Sequence, residues 1–466
     1  MFDFATRYPA YEDSGEPWLG QVPHHWKLRR TKTVLRERSD KGHPHEPPLA
    51  ATQTKGVVRK DEYENRTVLA LKDLHLLKLV REGDFVISLR SFQGGIEYAR
   101  HRGIISPAYT VLYLMDPDVH AYLAWLFKSH PYIENLSLHV TGIRQGQNID
   151  YEKLGRSRLP VPPHEDRVQI VRFLDRTDRR IRRYIAAKRT LLGLLNEQKQ
   201  AIIDHAVTRG LDPNVRLKPS GVEWLGEVPE HWDVRRVQGI FRERNEKGQS
   251  GWPILAVSIA HGVTRGDETD EDGRPRRLID DRGLYKLAHE GDIAYNTMRM
   301  WQGAVGVVPV DGLVSPAYVV AEPRPQMNAT FFTLVFRTDA CRGDTVGRSR
   351  GIVDDRNRLY WDSFKDLRVP VPPCDEQDAI VNAVTAETHA LASSVEHLSR
   401  EIALLVEYRT RLIADVVTGK LDVREAARLP DEVEEPVSLD GLDALAEGDR
   451  AEDDAALDVG SVEDEA

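Results

Sequence analysis

Apolar residues recur with alternating steps of four and three through two stretches of this chain, and each stretch copies the other. In the second, from 373 to about 417, they fall at Leu391, Val395, Leu398, Ile402, Leu405, Leu412 and Val416. In the first, from 163 to about 207, the same seam reads Ile181, Ile185, Lys188, Leu192, Leu195, Ile202 and Ala206. Such steps form the a/d seam of a coiled coil, so each stretch is expected to be one long helix paired through that seam. Pro163 and Pro373 suit a first turn, and the acidic residues behind them suit the positive end of a helix dipole. Gly210 and Gly419 are natural stops. Lys188, Lys199 and Arg409 interrupt the seam, either to set register or to face a partner.

Elsewhere the pattern is short. Residues 84–89, 110–114, 292–296 and 318–322 are rich in β-branched and aromatic side chains between Gly or Pro, which predicts strands. Residues 120–130 and 328–338 read as short amphipathic helices packed on that sheet. These elements also come in pairs. WLGQVPHHWKLRR at 18–30 returns as WLGEVPEHWDVRR at 224–236, and RERSDKG at 36–42 as RERNEKG at 242–248. REGDFVIS at 81–88 returns as HEGDIAYN at 289–296, and SPAY at 106–109 recurs at 315–318. The offset drifts only from 206 to 210, so one domain-plus-helix unit is used twice, with a period far too long for a solenoid.

The organisation expected is a domain at 1–160, a spacer helix at 161–212, a second domain at 213–370, a second helix at 371–422 and a tail at 423–466. The fold class is α+β: two similar α/β domains separated by two long antiparallel helices, with a pseudo-twofold internal repeat. A helix of about 44 residues would be a bar about 65 Å long. Such a bar could hold two reading heads at fixed separation on one DNA duplex, whose half-sites are met about one turn, ~34 Å, apart.

Composition adds three points. With 41 % hydrophobic residues and a mean hydropathy of −0.46, no apolar run approaches the roughly 20 residues needed to cross a bilayer. The N-terminal residues lack a basic stretch followed by an apolar one, so no signal peptide is expected and the protein reads as cytoplasmic. Cys341 and Cys374 alone cannot build a disulfide framework or a tetrahedral zinc site. The net charge of −10 is unevenly placed: residues 423–466 hold 16 acidic against 3 basic side chains, a net −13, which leaves +3 on residues 1–422. That tail has no aromatic residue and is expected to be disordered, either a solvated appendage or an electrostatic competitor for a basic surface on the body.

Signatures of catalysis are missing. No phosphate loop, no G-x-G-x-x-G after a strand and no H-E-x-x-H occurs. His43 and His45 lie in a Pro-rich loop, and His25 and His231 are expected to pack beside Trp26 and Trp232. The loop at 267–273 lacks calcium-loop spacing. SPAY looks like the [DNS]-P-P-[YF] string with which amino-methyltransferases hold a flipped adenine, but Ala108 and Ala317 replace its second Pro. It reads instead as Ser capping a turn, with Tyr in the core.

The candidates for contact with double-stranded DNA are polar and aromatic residues on Gly-flanked loops, since Arg and Lys read guanine, Gln and Asn read adenine, and all can hold phosphates. Two loops recur. SLRSFQGG at 88–95 and TMRMWQGA at 297–304 offer Arg90 and Gln93 against Arg299, Trp301 and Gln302. TGIRQGQNI at 141–149 and GRSRGIVDDRNR at 347–358 offer Arg144, Gln145, Gln147 and Asn148 against Arg348, Arg350, Arg356 and Asn357. Lys55, Arg59, Arg265, Arg274, Arg276 and Arg277 lie in the inserts where the copies differ most.

The whole layout of residues 1–422 resembles the specificity subunits of type I restriction-modification systems. One marker is the opening W-x-G-x-[VI]-P-x-H-W at 18–26 and 224–232, with Leu19 and Leu225 in its second place. The other is the helix entry P-x-P-P-x-x-E-Q-x-x-I. The second copy keeps it as Pro370, Pro372, Pro373, Glu376, Gln377 and Ile380; the first keeps Pro160, Pro162, Pro163 and Ile170 but carries Asp166 and Arg167. The resemblance implies two target recognition domains, each reading half of a split, asymmetric DNA sequence. It implies helices that act as spacer and as docking surface for two methyltransferase subunits. Those subunits bind S-adenosylmethionine and methylate adenine, and restriction subunits working with ATP and Mg join them. The chain itself would be non-catalytic, with no cofactor or metal of its own. The alternatives are a stand-alone adenine methyltransferase and an orphan DNA-binding scaffold.

Overall fold

The computed structural model describes residues 6–53, 55–62, 73–141, 148–248, 251–266, 282–349 and 357–428. The two seam stretches are the helices His164–Arg209 and Cys374–Val417. Glu165 and Asp166 occupy the first turn of one, Asp375 and Glu376 that of the other. Both end at a glycine in the left-handed region, Gly210 at φ 76° and Gly419 at φ 78°, where other residues are strained.

The chain divides into two compact units that cut across both helices: residues 1–190 with 399–466, and residues 191–398. In the first unit, Ile181 and Ile185 are buried with Leu412, Ile413 and Val416 in one core. Two seam positions carry ion pairs: Lys188 Nζ lies 2.7 Å from Glu401 Oε2, and Arg409 Nε lies 2.5 Å from Asp178 Oδ1. Numbers rise along one helix as they fall along the other, so this pairing is antiparallel. Lys188 and Arg409 therefore fix register within the unit. In the second unit Ile203, Ala206 and Val207 share a core with Ile380, Val381 and Val384, again antiparallel. Leu398 is buried, and Leu192, Leu195, Ile202, Leu391, Val395, Ile402 and Leu405 are half-buried, so the seam tightens toward the helix ends.

Each unit holds the same four-stranded antiparallel sheet. In the first the order is Leu35–Arg38, Thr110–Leu114, Phe85–Ile87, Glu97–Tyr98; in the second it is Phe241–Arg244, Tyr318–Pro323, Ile293–Asn296, Val305–Val307. All four expected strands are in these sheets. The helices His120–Leu126 and Ala329–Arg337 cover one face, the latter capped by Asn328 Oδ1 accepting from Thr330 N and Phe331 N. Each is followed by a second helix the periodicity did not announce, His130–Ser137 and Asp339–Arg348. The Pro-rich run before each long helix is itself a strand: Arg158–Val161 pairs with Lys27–Arg30, and Arg368–Val371 with Asp233–Arg236.

The repeated motifs are tied to one another. Arg38 Nη1 lies 2.6 Å from buried Asp84 Oδ2, which also accepts from Arg81 N at 2.8 Å. Arg244 Nε lies 2.8 Å from buried Asp292 Oδ2, which accepts from His289 N at 2.9 Å. Burial raises the Asp84 pKa above the usual carboxylate value, with the Arg81 backbone donor and the Arg38 charge pulling against it.

The helix entries dock on the opening motifs in the same duplicated way. His25 Nε2 is 2.8 Å from Asp166 Oδ2, and Trp26 Nε1 donates to that oxygen at 3.2 Å. His231 Nε2 is 2.7 Å from Glu376 Oε2. The histidines thus do more than pack beside tryptophan: they bond the carboxylate at the helix entry. Arg167 Nη1 donates to Pro162 O at 3.1 Å, and Gln377 Nε2 to Pro372 O at 2.9 Å. Asp-Arg therefore repeats the bond to the histidine and the bond to the proline carbonyl, while Gln377 Oε1 also accepts from Asn328 N at 2.8 Å, a bond that Arg167 cannot make.

Each joint receives the end of a long helix. Gly210 lies against Trp232 and Glu376, and Gly419 against Pro23 and Trp26. In the first unit Tyr122 Oη donates to Val417 O at 2.7 Å, Tyr11 Oη donates to Gly419 O at 3.1 Å, and Asp422 N donates to Thr6 O at 2.7 Å. Val423, Ala426 and Ala427 complete that core, so the tail expected to be disordered from 423 instead begins with the short helix Arg424–Arg428 folded onto the first domain, and residues 429–466 lie outside the described residues.

Candidate nucleic-acid interface

The first recurring loop has one backbone used twice. Arg90 sits at φ −108°, ψ 10° before the short helix Ser91–Gly94, and Arg299 at φ −121°, ψ 12° before the turn Met300–Gln302. Both lie in the sparsely populated bridge region. Gln93 N donates to Arg90 O at 2.9 Å, and Gln302 N to Arg299 O at 3.0 Å. Each arginine is exposed and follows an exposed apolar residue, Leu89 at 42 % and Met298 at 41 %. The side chains beyond them differ. Phe92 is packed against the core and Gln93 is exposed; Trp301 is half-buried, its Nε1 donating to Met298 O at 3.0 Å.

The SPAY turn lies beside this loop. Ser106 and Ser315 cap it, each Oγ accepting from the alanine N two residues on at 3.3 Å. Thr297 Oγ1 donates to Ala317 O at 3.0 Å, which ties loop to turn. Tyr109 and Tyr318 are half-buried and not core residues as expected. Burial raises the Tyr109 pKa while the Arg90 charge lowers it, which places Arg90 within electrostatic reach of the ring.

The second loop pair divides differently. Arg144, Gln145, Gln147, Arg350 and Arg356 lie outside the described residues, as do Arg274, Arg276, Arg277 and the acidic run 267–273. Asn148 is in the strand Asn148–Ile149, paired with Val140–Thr141, and Asn357 is half-buried. Arg348 was expected on a loop; it ends the helix Asp339–Arg348, its Nε 2.6 Å from Asp344 Oδ2 one turn back.

A hairpin beside the recurring loop completes the surface. Leu49–Thr52 pairs with Gly56–Arg59, and Leu255–Ser258 with Gly262–Arg265, which places Lys55 in the first hairpin's turn and Arg59 and Arg265 at the open ends, opposite Leu49 and Leu255. A cation from the covering helix pins each turn, and sequence reading missed both. Lys128 Nζ donates to Gln53 O and Gly94 O, both at 2.8 Å, and lies 2.7 Å from Glu97 Oε1. Arg337 Nη2 donates to Ile259 O and to Ala260 O, while Arg342 Nη1 reaches Gln302 O at 3.1 Å. The signal was present: Lys128-Ser129 and Arg337-Thr338 stand at matching places in the repeat.

Among the described residues there is no cluster of three or more potential metal ligands, and no helix is long and apolar enough to cross a membrane. Cys341 is buried and Cys374 exposed, and both are free.

No protein-family model matches the chain. A Methanocaldococcus jannaschii chain provisionally described as the MjaX type I restriction enzyme specificity subunit is 20 % identical over 452 residues, covering 87 % of this chain and 96 % of that one. Among solved structures, a chain from work on complex assembly and conformational transition of the type I restriction-modification system superposes with a TM-score of 0.59 at 15 % identity, covering 85 % of this chain and 98 % of that one. The HsdS subunit of Thermoanaerobacter tengcongensis aligns at 14 % identity over 87 % of this chain and 99 % of its own, with a TM-score of 0.43; the likeness of fold rests on the former. The chain has an α+β fold of two similar domains with two long helices, shared with a chain of the type I restriction-modification system. The resemblance to its specificity subunits holds along nearly the full length.

Proposed function

We propose that this chain is the non-catalytic DNA-specificity subunit of a type I restriction-modification complex, reading a bipartite, asymmetric target with two recognition domains. The observation that carries the reading is the loop built twice on one backbone with different side chains around a shared, exposed arginine. Two copies of one scaffold presenting different contacts suit two different half-sites. Major-groove arginine contacts discriminate by about 1–3 kcal/mol each.

The long helices serve as spacer and as docking surface for two methyltransferase subunits. Tyr184 at 50 %, Leu404 at 64 % and Tyr408 at 38 % exposure are apolar residues a docked partner would cover. Those partners carry S-adenosylmethionine, and restriction subunits with ATP and Mg complete the complex.

The test is a pair of single substitutions. Arg90→Ala and Arg299→Ala should each weaken binding of the assembled complex by about tenfold, the effect of roughly 1.4 kcal/mol. Each should erase base discrimination at one half-site and leave the other's footprint intact. Unchanged footprints at both half-sites would remove these loops from the interface.

A further inference from the structure

In the first unit a groove of about 640 Å³ runs from the hairpin turn and the recurring loop to the long helices. Its lining includes Gln53 and Gly94 at one end and Arg182, Arg189 and Arg409 at the other. Ile96, Ala121, Ala124, Val171, Ile185 and Ile413 supply its apolar lining. Six cations line it, Lys55, Arg100, Lys128, Arg182, Arg189 and Arg409, with His120 and His130 beside them and Asp175 as the one carboxylate in the lining. Behind them Glu97 pairs with Lys128, and Asp178 with both Arg182 and Arg409. Among the described residues the lining itself holds six cations and one carboxylate, which makes it positive.

The second copy does not repeat this. Hairpin register matches Lys55 to His261, and strand register matches Arg100 to Pro309. By position in the repeat Lys128 matches Arg337, Arg182 matches Ala392, Arg189 matches Ser399 and Arg409 matches Lys199. Two cations stand where the first copy has six, and Asp339 replaces His130.

We infer that this groove binds the sugar-phosphate backbone of DNA where the duplex leaves the first recognition domain, and that the matching positions of the second domain, with two cations for six, do not repeat it. The inference rests on the DNA-binding reading above and adds an inequality to it. The two half-sites are read by similar loops, but this groove's share of the electrostatic, sequence-independent affinity belongs to the first unit. The cations extend from the loop that faces bases to the helices, so they follow a strand from half-site into spacer. Phosphate contacts carry no sequence information and fix the register of a protein on the duplex.

The test measures the salt dependence of binding of the full chain to a duplex of arbitrary sequence, where each neutralised phosphate contributes about 0.9 to the slope of log affinity against log salt. The K55Q/R100Q/R189Q variant leaves the Asp178 ion pairs in place and should reduce the slope by about 2 to 3. K55R/R100K/R189K should restore it, and H261Q/K199Q should change it by about 1 or less. Equal losses from the two Gln variants would overturn the inequality, and an unchanged slope in the first would overturn the groove as a backbone site. Failure of the wild-type chain to bind any duplex would instead sink the DNA-binding reading, and the inference with it. With residues 429–466 removed, the difference between wild type and K55Q/R100Q/R189Q should persist. Its disappearance would mean the groove holds the acidic tail, and the inference would fall.

Discussion

Arg38→Ala should destabilise the first unit by about 3–5 kcal/mol, the usual result of leaving a buried charge without its partner. Asp84 is only 5 % exposed at its side chain and would keep only the Arg81 backbone donor. Arg38 also lies over the Tyr113 ring at 4.9 Å, so the truncation removes packing as well. The loss should depend on pH in a definite direction. A folded-state carboxyl pKa raised by burial means the native state holds its proton more tightly than the unfolded chain, so stability falls as pH rises between the unfolded and folded values. Removing Arg38 raises the folded value further. The deficit of Arg38→Ala should therefore be largest near neutral pH and shrink on acidification through the raised value. Replacing both partners with apolar residues, Arg38→Met with Asp84→Leu, should recover most of the stability, because the stranded charge is gone. Urea unfolding followed across pH checks all three; a deficit that grows on acidification would contradict the assignment.

Gly419→Ala should cost more than Gly210→Ala, although both glycines sit at nearly the same φ. A left-handed Ala costs roughly 1–2 kcal/mol at either position. At Gly419 the added Cβ would fall 2.4 Å from Pro23 Cδ and 2.9 Å from Trp26 Cη2, two rigid rings. Overpacking of that kind adds about 1–3 kcal/mol. At Gly210 the nearest atoms are Glu376 Oε1 at 3.2 Å and Trp232 Cζ2 at 3.3 Å, and the carboxylate can give way. Thermal unfolding of the two variants, followed by tryptophan fluorescence, should show the larger drop for Gly419→Ala. Equal drops would mean that the end of the second helix is not held against the opening motif.

What was legible in the sequence was whatever repeats at short range. The a/d seam gave both helices because its period survives the ion pairs at Lys188 and Arg409, and alternating β-branched runs gave the sheet strands. The Pro-rich entries were read only as helix starts, since proline usually punctuates; their role as strands depends on partners at 27–30 and 233–236, far away in sequence. His25 with Asp166 and Tyr11 with Gly419 were illegible for the same reason. Of the candidate site, Arg90 and Arg299 could be found because the loop recurs. Lys128 and Arg337 were passed over because each sits at the end of a helix and reaches back to a hairpin that only folding brings near. Arg348 was misplaced because GRSRG reads as loop while its first residues finish a helix.

The most direct test of the central claim is single-molecule sequencing of methylated adenines in cells carrying this chain and its methyltransferase partner. The expected result is one asymmetric motif in two parts separated by a fixed gap, methylated only when the chain is present. Deleting one heptad from each long helix removes about 10 Å of length, or roughly three base pairs of DNA, so the gap should shorten with both half-site sequences unchanged. A single uninterrupted motif, or a methylation pattern indifferent to the chain, would contradict the reading of two recognition domains set apart by a helical spacer.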